Sequence, residues 1–186
     1  MQTRFNQTKA AHAAAMFLRL RGQKMSYLKL IKLLYLLDRT ALARWERPVT
    51  GDRYVSMKLG PVLSNVRDLI VWEQPGNESD LWHQLIQKVG AYDVELKQAV
   101  EPDSLSQREL DLIGEIFSQF GRMDRWKLAE YTHSLPEWKQ PENDNSSSPL
   151  AYEDVLQGVG KTPEEAAQIC REISDVNRVA GLVGCK

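Results

Sequence analysis

From Leu28 to Trp45 the chain reads LKLIKLLYLLDRTALARW, and its apolar residues form a helical stripe. Leu28, Ile31, Tyr35, Leu42 and Trp45 follow one another at the steps of a 3.6-residue period. Leu30, Leu33, Leu34, Leu37 and Ala41 widen that stripe over most of the circumference, so the helix is predicted to be central to the fold. Ser26 is placed to cap its N-terminus, and the helix is expected to end near Glu46, before Pro48. Asp38 stands on the stripe itself. An unpaired carboxylate in apolar surroundings is costly, so it needs a partner: a tyrosine hydroxyl, or backbone near Gly60.

The other elements follow from similar patterns. A first helix is predicted from Gln7 to Arg21, with Ala10, Ala13, Ala14, Phe17 and Leu18 facing inward and Gly22 as its stop. Pro48 to Asp52 reads as a turn, and the alternation from Arg53 to Leu59 as a short strand. Pro61 suits the first position of a helix running to Trp72, followed by a loop at Gln74-Pro75-Gly76-Asn77. Leu81–Val89 and Tyr92–Val100 flank Gly90-Ala91 as a hairpin, the first arm reading alternatively as the tail of a helix. Ser106 and Glu109 form a capping box for a helix to Phe120. Its apolar set is Leu110, Ile113, Ile116, Phe117 and Phe120, and Gly121 ends it. Shorter helices are expected from Arg125 to His133 and from Pro149, capped by Ser148, to Gln157. A second capping box, Thr162 with Glu165, opens a last helix to Val179. The sum is a single, mainly α domain of the α+β kind, helical around one apolar helix, with a small three-stranded antiparallel β element.

Composition narrows the class. An apolar fraction of 42% in 186 residues supports a real core, and no run approaches a membrane span. The N-terminus lacks an apolar core followed by a cleavage site and reads as an amphipathic helix. Two cysteines, Cys170 and Cys185, give no disulfide framework, which suits a reducing cytoplasm. The net charge of −1 hides a division: residues 1–70 carry 13 Lys and Arg against four Asp and Glu, residues 71–186 carry 11 against 21. Either the two parts pair with each other or one presents a charged docking face.

The candidate chemistry is thin. Gly158 to Thr162 reads GVGKT, but Val155 stands where a phosphate loop needs glycine, and the flanking pattern is helical. His12, His83, His133 and the cysteines lack metal-ligand spacing, and Cys170 fits packing beside Ile169 and Ile173. No cofactor is expected. Lys29, Lys32 and Arg39 share one helical stripe, read as a solvated face. His133 and Trp138 bracket Ser134-Leu135-Pro136-Glu137, either closing a helix and plugging the core or lining a groove.

With these residues in view, the chain resembles the Panacea domain, the SocA-like antitoxin family. The resemblance rests on Lys29 to Asp38 (KLIKLLYLLD), Val49 to Tyr54 (VTGDRY), Lys58 to Val62 (KLGPV), Leu105 to Leu110 (LSQREL) and Thr132 to Trp138 (THSLPEW). It covers residues 8–160; the last helix and the GLVGCK tail lie outside it. It implies a mainly helical fold and an antitoxin of bacterial or phage origin that blocks a toxin encoded beside it by direct contact. The toxin's identity does not follow. Some members carry an added DNA-binding segment, for which there is no room ahead of residue 7, so nucleic acid is not an expected partner. The shared motifs imply a scaffold and no catalytic residues. Asp38 and Tyr54 make a polar pair, Gly60 and Pro61 a strand-to-helix corner, and Lys58 and His133 structural positions of the motifs. Partner anchors, chosen by residue type, are Trp72, Trp82, Arg122, Trp126 and Trp138. The rival readings are an adaptor that hands a bound protein to a protease, a phage or mobile-element regulatory protein, and an enzyme using Asp38 with His133.

Overall fold

The computed structural model describes residues 4–72, 80–143 and 146–182. The expected loop at 74–77 and the end of the GLVGCK tail lie outside them. Helix α1 (Gln7–Arg21) starts at Asn6, whose side chain accepts from the Lys9 amide, and stops at Gly22 in the left-handed conformation. All five of its anticipated core positions are fully buried. A short strand β1 (Lys24–Ser26) leads into α2 (Tyr27–Trp45), in which every residue from Lys29 to Asp38 is buried. Ser26 occupies the N-cap without making a side-chain bond there. Helix α2 packs against α1, and further on against helices α5 (Gln107–Phe120) and α6 (Arg125–His133).

Strand β2 (Tyr54–Met57) turns through Lys58-Leu59 into β3 (Gly60–Leu63), with Tyr54 opposite Leu63 and Met57 opposite Gly60. This corrects the expectation of a helix beginning at Pro61. Pro61 lies on an edge strand, where a missing amide costs no ladder bond, and the strand-to-helix corner falls at Leu63-Ser64, where α3 (Ser64–Val71) begins. Helix α4 (Leu81–Leu85) precedes the hairpin of β4 (Ile86–Val89) and β5 (Asp93–Leu96), so the first arm is half helix and half strand.

The Ser106–Glu109 capping box forms as expected at the head of α5. Leu112, Ile113, Ile116 and Phe120 are its buried apolar residues, while Leu110 and Phe117 are half-buried. Ser148-Pro149 does not open a helix: Ser148–Leu150 is a strand, β6, and α7 (Tyr152–Gly158) starts four residues after Ser148. The Thr162–Glu165 box forms, and α8 runs Pro163–Leu182.

The single three-stranded element of the sequence reading is in fact two antiparallel sheets among the described residues, ordered β1-β5-β4 and β3-β2-β6. The fold is therefore α+β and mainly helical. Among the described residues four ion pairs join the basic first part to the acidic second: Lys9–Glu109 at 2.6 Å, Lys24–Asp93 at 3.5 Å, Arg39–Glu137 at 2.6 Å and Arg44–Glu115 at 2.7 Å. Among the described residues no helix is long and apolar enough to cross a membrane.

Candidate functional site

The polar residues of α2 do not form a solvated face. Lys29 and Lys32 are 5% and 0% exposed, and the buried polar side chains of the helix reach segments distant in the chain. The Lys29 ammonium donates to the Gly121 and Met123 carbonyls, both at 2.6 Å, tying down the turn between α5 and α6. Burial lowers its pKa. The Lys32 ammonium donates to the Pro61 carbonyl at 2.8 Å, and burial brings its pKa down to about 7.

One turn on, the Tyr35 hydroxyl donates to Glu137 at 2.8 Å. Arg39 forks onto the same carboxylate, Nε to Oε1 at 2.6 Å and Nη2 to Oε2 at 3.2 Å, and Nη2 also reaches the Gly158 carbonyl. Glu137 is 2% exposed, so this is a buried charge pair with a bidentate geometry. Gly158 is required there, since a Cβ would come within 3.3 Å of the Glu137 side chain. The GVGKT stretch is thus a joint between α7 and α8, with helix on both sides.

Asp38 is fully buried and receives four donors: the Val49 amide, the Thr50 amide, the Thr50 hydroxyl and the Tyr54 hydroxyl. Four donors fill the lone-pair sites of a carboxylate. Burial pushes its pKa up to about 7 against the opposing pull of those bonds. The Tyr54 partner was legible in the sequence. The backbone partner is the turn at residues 49–50, not the vicinity of Gly60. A second carboxylate, Asp52, gathers the Asn65 and Val66 amides and so starts α3.

Gly60 has φ +94°, and a Cβ on it would lie 2.5 Å from the Thr132 hydroxyl and 2.9 Å from the Lys32 ammonium. That Cβ would also lie 3.2 Å from the His133 ring, which stacks on Trp138 at 4.5 Å, and Trp138 donates to the Met57 carbonyl. Burial lowers the His133 pKa, and the Lys32 charge adds to the effect. Lys58 is exposed on the hairpin turn. Asp38 and His133 therefore serve separate groups. Among the described residues no three His, Cys, Asp or Glu are placed to hold a metal ion.

The proposed anchors separate. Trp82 is 1% exposed and is a core residue, which removes it from the surface set. Trp138 is half-buried against His133. Trp72 and Trp126 are 61% and 56% exposed, and Arg122 is exposed. Residue type alone missed the grouping around Trp126: the Arg125 guanidinium lies 5.0 Å from its ring and 5.5 Å from that of Tyr92, itself 61% exposed. The sequence holds the Arg-Trp pair, but Tyr92 arrives from the β4–β5 turn.

The residues above define a mainly helical scaffold whose buried polar side chains clasp its own segments together, with aromatic and basic groups left on the surface. Residues 30–139 match the family described as antitoxin SocA-like, Panacea domain, and the chain belongs to that family. The match is narrower than the span over which the motifs were read. Among curated proteins and among solved structures nothing matches the chain.

Proposed function

We propose that this protein is a cytoplasmic antitoxin that neutralises a cognate toxin by stoichiometric binding and performs no chemistry of its own. The observation that carries the proposal is family membership over residues 30–139. In this reading α2 is the central helix of a rigid platform. Its buried lysines, Asp38 and the Arg39–Glu137 pair hold loops in fixed register and are not available for catalysis. The exposed Tyr92 and Trp126 rings, with the half-buried Arg125 against both, support a docking role, because aromatic residues and arginine dominate binding energy at protein interfaces.

The test is co-expression with the product of the adjacent open reading frame. Growth rescue, an intact and undiminished partner, and a complex on gel filtration are expected. Rescue by loss of the partner, dependent on a host protease, would instead favour an adaptor. No rescue and no complex would reject direct neutralisation.

A further inference from the structure

A cleft of about 330 Å³ opens between the N-terminal segment, the turn after α2 and α8. Arg4, Lys9 and Arg47 line it, and no Asp or Glu does. Its shape is set by the VTGD motif. From inside, Asp38 fixes the Val49 and Thr50 amides. From outside, the Asn6 amide donates to the Thr50 carbonyl at 2.8 Å. Gly51, at φ +65°, lets the Arg4 backbone cross so closely that a Cβ would sit 2.5 Å from its carbonyl oxygen. Arg4 and Arg47 are thereby brought to one cleft, with Ile173 and Val176 of α8 as an apolar wall.

Carboxylates that neighbour the lining residues in the chain, or that pair with one of them, have other partners. Glu109 holds Lys9, Glu46 holds Lys161, Asp175 holds Arg178, and Glu172 accepts from Gln168. Asp38 and Asp52 are buried and bonded to backbone amides. Among the described residues Arg4 and Arg47 have no ion-pair partner, although the chain as a whole is slightly acidic. Two permanently charged guanidinium forks facing a concave space suit a planar or tetrahedral oxyanion. The volume lies at the small end of small-molecule sites.

We propose that this cleft binds an oxyanion, a phosphate or carboxylate group carried on a small or partly apolar body. The site needs no toxin, and its failure would leave the antitoxin proposal standing. The experiment is a titration of the ¹⁵N-labelled full chain, followed by amide shifts, with inorganic phosphate in one arm and succinate in the other at constant ionic strength. Saturable shifts centred on Thr50, Gly51 and Asn177 are expected, and the arm that saturates names the oxyanion. Arg47→Gln and Arg4→Gln should each weaken binding about tenfold. Arg47→Lys, which keeps charge but loses the fork, should fall between. Both arginines are exposed, so the variants should keep the remaining spectrum unchanged. Lack of saturation with both anions, or equal shifts in the double Gln variant, would overturn the site.

Discussion

The Lys32 ammonium is buried completely and donates to the Pro61 carbonyl at 2.8 Å. Burial lowers its pKa from the ordinary 10.5 to about 7. Between those values the unfolded chain holds a proton that the folded chain has released, so this group favours folding increasingly as pH rises through that window. Its full penalty applies below about 7. Stability should therefore climb between about pH 8 and pH 9.5, by up to about 1.4 kcal/mol per pH unit. Lys32→Met should flatten that climb while costing about 1 kcal/mol for the stranded carbonyl. Urea midpoints for both chains across that range check it; parallel curves would show that the amine does not titrate there.

Glu137 sustains two donors at once, Tyr35 and Arg39, in a buried setting. Removing it strands a guanidinium and a hydroxyl, so Glu137→Ala should destabilise the fold by about 3–5 kcal/mol. Arg39→Ala with Glu137→Ala should cost less than the two singles summed, with a coupling of about 1 kcal/mol or more. Urea denaturation of the four chains measures this; simple additivity would mean the fork contributes nothing.

Gly60 and Gly90 both have positive φ, +94° and +62°, but only Gly60 is enclosed. Alanine at Gly90 meets open space and should cost about 1 kcal/mol for its backbone conformation alone. Alanine at Gly60 must also displace Thr132 and Lys32, and should cost about 3 kcal/mol or more. Thermal midpoints of the two variants separate steric from conformational cost.

The helices were largely legible because their signals are local. The Ser106–Glu109 box and the boundaries of α1 and α6 rest on residues within a turn or two of each other. The strands were not. β1 and β6 are three residues each and exist through pairing with β5 and β2, far along the chain. Pro61 and Pro149 each fit both a helix start and an edge strand, and only the pairing of Val55 with Val62 and with Pro149 decides. In the same way Asp38 announced a need for a partner by interrupting an apolar stripe. The buried ends of Lys29, Lys32 and Arg39 gave no such warning, because a basic stripe on a helix has the same spacing whether water or carbonyls meet it.

Arg125 lies against two rings that are both more than half exposed, Tyr92 and Trp126. Neither ring supports the core, so Trp126→Ala should change stability by no more than about 0.5 kcal/mol. If this group grips the toxin, the same substitution should weaken the complex by about 2 kcal/mol, roughly 30-fold, with Tyr92→Ala and Arg125→Ala acting in the same direction. The two measurements discriminate because a structural residue would move the thermal midpoint and a docking residue would move only the affinity. Calorimetric titration against the purified product of the adjacent reading frame, beside thermal melts of the free variants, reads both. Unchanged affinity in all three variants would move the interface to another face of the molecule.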